Sequence, residues 1–222
     1  SVRPFCTIQY GQWQFPRIQA QPARYAADVT GDAPIRTRRE PPRCRQATVR
    51  RVAQLTPHMS QVALAGGDLE GFSVDQPAAS VRLLIPSPGS RDLVIPSWNG
   101  NEFLLADGTR LAIRTFTPRR VDSERGELEL EIVLHDGGVV SDWVRRAAVG
   151  DPAAISGPGR GYGIDHAAPA SRVAGDECAI PAIGQLLESL TGQTPGAVFI
   201  EGGLAGARLT LAAPPRACGG GG

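Results

Sequence analysis

Lysine is missing from the 222 residues: all 23 basic side chains are arginine. That removes Schiff-base chemistry on a lysine, and it removes the phosphate loop that ends in a Lys. Histidine is almost missing as well. His58, His135 and His166 are the whole complement, which argues against a multi-histidine metal site. Cysteine occurs four times, at Cys6, Cys44, Cys178 and Cys218, with no CxxC pair. This is neither a disulfide framework nor a zinc ribbon. No excess of one charge exists either: 22 acidic residues nearly balance the arginines, for a net charge of +1. A general nucleic-acid binder needs a basic surplus to neutralise phosphates, so no nucleic-acid partner is expected. No apolar run approaches the roughly 20 residues that span a bilayer. The opening stretch SVRPFCTIQYGQWQFPR lacks the apolar centre of a signal peptide. The expectation is a cytoplasmic protein with no membrane partner.

What is present supports a folded chain: 41% of residues are hydrophobic and 20% charged. Residues 1–42, rich in Gln, Pro and Arg, have no sustained periodicity and read as a poorly ordered tail. From Arg43 onward short aliphatic runs alternate with Gly, Pro and Asp: 46–56, 60–66, 80–86 and 110–120. In ELELEIVLH (127–135) Leu128, Leu130, Ile132 and Leu134 share one face and three glutamates the other, the pattern of a half-buried antiparallel strand. Strands without intervening helices predict a small barrel or sandwich. SDWVRRAAV (141–149) reads as a short helix with Ser141 as N-cap. The last third changes character. A strand at 171–176, a helix over 179–190 with Ile180, Ile183, Leu187 and Leu190 on one stripe, and a strand at 197–202 make a βαβ unit. The expected division is a tail (1–42), an antiparallel β-barrel (43–155) and a shortened α/β lobe (156–222).

Three segments could carry chemistry. Arg114-Thr115-Phe116-Thr117-Pro118-Arg119-Arg120 packs a guanidinium fork for phosphate, a stacking ring and a small hydroxyl at a strand end; an exposed Arg-rich edge strand would look the same. His135-Asp136-Gly137-Gly138-Val139-Val140-Ser141 opens a helix, where backbone N–H groups can approach an anion; an ordinary glycine turn is the alternative. Gly175-Asp176-Glu177-Cys178-Ala179-Ile180-Pro181 lies at the end of a parallel strand entering a helix, the crevice where nucleotides bind in open α/β sheets. Cys178 can equally be a small packing residue. A hydrolase finds little support: Ser156 in ISGPG is not a nucleophile elbow, and His135-Asp136 and Asp165-His166 are sequence neighbours that would point to opposite faces of a strand.

Five blocks taken together resemble one family. VRRVAQLTPHMSQVALAGGDLEGF (49–72), IRTFTPRRVD (113–122), LEIVLHDGGVVSDWVRRAAVGD (130–151), ISGPGRG (155–161) and AGDECAIPAIGQLLESL (174–190) resemble the siderophore-interacting proteins. These are FAD-dependent ferric-siderophore reductases of the vibriobactin-utilisation type, in the ferredoxin-reductase-like superfamily. The resemblance implies that Arg114 grips the flavin pyrophosphate, Phe116 packs on the isoalloxazine, and Thr117 lies near flavin N5 as the residue closest to the chemistry. It implies that His135, Gly138 and Ser141 belong to a second flavin-phosphate segment. It also implies that Asp176, Glu177, Cys178, Ala179 and Pro181 face the nicotinamide. Two positions depart from the pattern: Phe116 lacks the phenol of many relatives, and Cys178 stands where Thr or Ser is usual. The family's later strands, with a Trp-containing segment, have no counterpart here. FAD, NADPH or NADH as donor, a ferric siderophore as substrate and a monomeric state are the expectations that follow. The competing expectation is a flavin- or siderophore-binding protein without efficient nicotinamide turnover.

Overall fold

The computed structural model describes residues 6–11, 43–99, 102–190 and 196–201. In chain order the strands are β1 (Cys6–Gly11), β2 (Cys44–Thr56), β3 (Met59–Ala65), β4 (Val81–Leu84), β5 (Ser97–Trp98), β6 (Phe103–Leu104), β7 (Ile113–Phe116), β8 (Pro118–Asp122) and β9 (Glu127–Val133). Helix α1 (Val139–Arg146), β10 (Pro152–Ser156), β11 (Ser171–Asp176), helix α2 (Ile180–Ser189) and β12 (Gly196–Glu201) follow.

Seven strands form one antiparallel sheet in the order β7-β4-β10-β2-β3-β9-β8. Strands β7 and β8 sit at opposite ends of that order, yet only Thr117 separates them in the chain. A flat sheet cannot satisfy both facts. The sheet curls until its two edges meet, and Thr117 spans the seam. The expectation of one strand over 110–120 is therefore corrected to two strands that pair with different partners, β4 and β9.

The barrel core follows from the alternation. Leu128, Leu130 and Ile132 of β9 are buried against Val62 and Leu64 of β3, Leu83 of β4 and Ile155 of β10. Each such side chain removes apolar surface worth roughly 1.5–3 kcal/mol. Helix α1 closes the barrel with Val140, Trp143 and Val144. Its N-cap is Gly138 rather than the expected Ser141. Ser141 lies inside the first turn, buried, and its hydroxyl accepts from the His135 N–H at 3.1 Å.

The second unit is a parallel sheet in the order β1-β12-β11, with α2 connecting β11 to β12. The βαβ expectation holds for 171–201, and the chain is an antiparallel barrel followed by a small α/β lobe. Strand β1 lies within the segment expected to be a tail, and its six residues pair with β12 from Cys6↔Gly196 to Gly11↔Glu201. The reading of 1–42 as tail is corrected at those positions. The rest of 1–42 and the stretch 202–222 of the expected shortened lobe lie outside the described residues.

The two units are not separate bodies of apolar packing. Ile180, Ile183 and Leu187 of α2 and Val198 and Ile200 of β12 share one cluster with Met59 of β3. Met59, the sole methionine of the chain, is fully buried there.

Candidate functional site

A cleft of about 370 Å³ opens where the barrel seam meets the two helix starts. Its walls come from Ser80, from Arg114 to Thr117, from Glu131 to Val133, from His135 and Gly137 to Ser141, and from Cys178 and Pro181. Eight residues singled out in the sequence are brought together here: Arg114, Phe116, Thr117, His135, Gly138, Ser141, Cys178 and Pro181. Asp176, Glu177 and Ala179 do not line it. Asp176 instead caps the turn that enters α2, its carboxylate accepting from the N–H groups of Cys178 at 2.9 Å and Ala179 at 3.2 Å. It thereby fixes where Cys178 stands.

Local chemistry explains each wall. At the seam, Phe116 is half-buried against the barrel core, while Arg114 is exposed and bonds only its neighbour's carbonyl, Ile113 O, at 3.0 Å. It has no carboxylate partner among the described residues. Its fork of donors is left for an anion. Arg119, three residues past Phe116, is spent differently. It grips Glu188 of α2 at 3.0 and 2.5 Å and faces Glu131 at 3.8 Å.

At the start of α1 the backbone turns tightly around Gly138. A Cβ there would fall 2.5 Å from His135 Cε1 and 2.9 Å from Ser141 Oγ. The imidazole folds over the glycine, so a larger side chain there would have to displace the His135 ring. The first intrahelical bond runs from Asp142 N to Gly138 O at 2.8 Å. The N–H groups of Val139, Val140 and Ser141 therefore precede the helical ladder and lie in the cleft wall, a setting that suits an anion.

Two thiol and carboxyl groups in the wall are perturbed. Burial pushes the Cys178 thiol up, and Asp176 and Glu177 push it further. The thiol is thus held protonated rather than activated. Burial also raises the Glu131 carboxyl, against the opposing pull of Arg119.

A second hollow of about 750 Å³ adjoins the first, and Arg114 and Val139 line both. Sequence reasoning missed it. Its wall includes Arg82, Arg110 and the β5–β6 hairpin, where the Trp98 and Phe103 rings lie 4.8 Å apart. Arg110 is paired with Glu102. The signal available in the sequence was the pair Trp98 and Phe103 on either side of Asn99-Gly100-Asn101-Glu102, a polar stretch with a turn-forming Asn-Gly. The site as a whole is an elongated trough. One end has a ring and a hydroxyl, the middle has a free guanidinium and a helix start, and the far end has two aromatics. Among the described residues no cluster of three His, Cys, Asp or Glu could hold a metal.

The fold is thus a curled antiparallel barrel with this trough at its seam, followed by a small βαβ lobe. The comparisons narrow it. The family model described as the siderophore-interacting FAD-binding domain matches residues 48–162, and the model described as siderophore-interacting protein matches residues 168–218. The chain belongs to the siderophore-interacting protein family. It is 30% identical over 145 residues to the ferric vibriobactin reductase ViuB of Vibrio cholerae, covering 65% of this chain and 53% of ViuB. It is 30% identical over 149 residues to the NADPH-dependent ferric-chelate reductase of Escherichia coli, covering 67% of this chain and 58% of that protein. Among solved structures, a siderophore utilization protein from T. fusca superposes with a TM-score of 0.68 at 30% identity, covering 80% of this chain and 67% of that one. SipS from Aeromonas hydrophila gives 0.65 at 28% identity, covering 78% and 64%. The chain spans about half the length of the curated relatives it matches.

No helix among the described residues is long and apolar enough to cross a membrane.

Proposed function

We propose that this chain holds FAD in the trough and takes part in the reduction of ferric siderophores with a nicotinamide as electron donor. The observation that carries the reading is the convergence of Arg114, Phe116 and Thr117 at the barrel seam with the glycine-opened start of α1. An unpaired guanidinium, a run of helix-start N–H groups and a half-buried ring in one wall are what a dinucleotide with a pyrophosphate and a flat tricyclic ring requires.

The residues fit that group at three points. Arg114 sits where the 370 Å³ cleft and the 750 Å³ hollow join, so it is the natural grip for a pyrophosphate lying between two rings. Phe116 presents an aromatic face without a phenol, so packing is its role and hydrogen bonding is not. Thr117 offers a small hydroxyl at the point where β7 gives way to β8. The trough's far end, with Trp98 and Phe103, is assigned to the adenine. When bound, the flavin would accept a hydride from the nicotinamide and return electrons singly to ferric iron, two irons per hydride. Ferric iron is held tightly by hard oxygen ligands and ferrous iron less so, so reduction promotes release.

The chain's own residues supply positioning. Asp176 fixes the turn that puts Cys178 and Pro181 on the cleft rim, on the side assigned to the nicotinamide. Glu177 and Ala179 hold that turn in shape and are not expected to touch the cofactor. The protonated thiol of Cys178 stands in for the hydroxyl of relatives as a weak donor. NADPH and NADH both remain candidates as donor, and the E. coli relative, by its name, uses NADPH.

Titrating the apo-protein with FAD tests the reading, and anaerobic addition of NADPH to the loaded protein tests its catalytic half. A yellow protein bleached by NADPH supports the reductase. A yellow protein that NADPH leaves unchanged supports the competing binding-protein reading. A colourless one contradicts the reductase and any flavin-binding role.

A further inference from the structure

Helix α2 turns a polar face to the barrel. Gln185 uses both ends of its amide there. Its Oε1 accepts from the Ala78 N–H at 2.7 Å, and its Nε2 donates to the Pro118 carbonyl at 2.6 Å. Only one orientation of the amide satisfies both partners, because one is a donor and the other an acceptor. Neither contact is to a casual position. Ala78 is buried and held at φ 56°, in the left-handed region that non-glycine residues seldom adopt. Two residues on, Ser80 lines the cleft. Pro118 directly follows Thr117 at the seam.

One turn of helix away, Glu188 receives the Arg119 guanidinium at 3.0 and 2.5 Å. That guanidinium lies over Gly184, where a Cβ would stand 3.6 Å from it. It also faces Glu131, whose side chain lines the cleft and is only 12% exposed. One helix thus grips two separate pieces of the cleft wall directly, the loop before β4 and the seam, and reaches a third, β9, through Arg119.

We propose that Gln185 is a positioning residue for the flavin cleft, through which α2 sets the placement of the cleft walls and couples flavin binding to docking of the α/β lobe. This rests on the flavin reading of the cleft. Gln185 does not line the cleft; it acts through Ala78 and Pro118. Coupling is reciprocal: whatever α2 contributes to flavin affinity, bound flavin returns to the docking of α2.

The test compares FAD titrations of wild type, Gln185→Leu and Gln185→Glu, at a temperature where circular dichroism shows all three folded. Hydrogen–deuterium exchange of the 180–190 peptide is followed with and without FAD. Gln185→Leu removes both bonds and should weaken FAD about tenfold. Gln185→Glu keeps the acceptor for Ala78 and loses the donor to Pro118, so it should fall between the two. FAD should slow exchange in α2 of the wild type and do so less in Gln185→Leu. A helix that merely stabilises the fold would leave the affinity of folded protein unchanged. Wild-type affinity in folded Gln185→Leu, with α2 exchange indifferent to FAD, overturns the proposal. If Gln185→Leu does not fold, Glu188→Gln replaces it, since that carboxylate is 43% exposed; a weaker FAD affinity supports the coupling and an unchanged one overturns it. Failure of the wild type to bind FAD at all removes the flavin reading, and this proposal with it.

Discussion

Arg114 and Arg119 show how position decides what a residue does. Both stand in RTFTPRR, and apart from the family resemblance nothing in residue type separates them. The fold gives Arg119 two carboxylates, whereas Arg114 has none among the described residues and lies in the cleft wall. Arg114→Ala should weaken FAD by roughly 1.5–3 kcal/mol, the worth of a charge-assisted hydrogen bond. Arg114→Lys should recover only part, because a point charge cannot replace a fork. Calorimetric titration of the apo-proteins checks both. Thr117→Val should leave FAD affinity nearly unchanged while shifting the rate of anaerobic bleaching by NADPH; identical rates would remove Thr117 from the chemistry. Gly138→Ala is a different case. Its φ of −85° suits any residue; the nearest obstacle is the His135 ring, which is exposed and can swing away, and the Ser141 hydroxyl follows at 2.9 Å. Thermal stability should change little and FAD affinity should fall. Gly138→Ala combined with His135→Ala should cost less than the sum of the two single changes, the non-additivity expected of groups in contact.

Among the elements, those specified by local pattern were legible and those specified by distant pairing were not. The alternation in β9 and the stripe of α2 predicted their buried faces because each period is fixed by the element's own geometry. Leu128, Leu130, Ile132, Ile180, Ile183 and Leu187 are all buried as read. The break at Thr117 was not legible, since nothing local tells a strand that its first half pairs with β4 and its second with β9. Strand β1 escaped because six residues among Gln, Pro and Arg carry too little pattern, and its pairing partner lies about 190 residues away. Ser141 was misplaced as a cap because a serine before a helix usually is one; here the glycine turn begins the helix earlier. The Arg119–Glu188 pair makes α2 docking pH-sensitive. The hydrogen bond from Arg119 holds the Glu188 carboxyl below its ordinary range. Its contribution is complete above that range and disappears as pH falls through the depressed folded value. Glu131 opposes it, because burial raises its carboxyl and makes ionisation unfavourable as pH rises. Glu188→Gln should therefore cost at most about 1 kcal/mol at neutral pH, given its exposure. The difference from wild type should vanish in acid. Thermal melts across pH check this.

At the scale of the whole molecule the barrel and the lobe share apolar packing, because Met59 of the barrel is buried in the lobe's core. Met59→Ala should cost roughly 2–5 kcal/mol and expose α2 to exchange before the barrel. Strand β1 covers one edge of the lobe's sheet, so removing residues 1–11 should loosen the lobe more than the barrel, which a hydrogen-exchange comparison would register. The same architecture puts the cleft at the junction, where Cys178 and Pro181 of the lobe join the barrel residues in one wall. The central claim is that this trough holds a flavin able to pass electrons onward to a ferric siderophore. The most direct measurement loads the protein with FAD, reduces it anaerobically with dithionite without excess, and adds a ferric siderophore while following flavin absorbance near ~450 nm and ferrous iron with a chromogenic chelator. The account predicts return of the flavin band with two ferrous ions formed per flavin, faster than with free reduced FAD and slowed in Arg114→Ala by loss of the cofactor. A protein that takes up no FAD, or whose reduced flavin persists in the presence of the ferric siderophore, would contradict it.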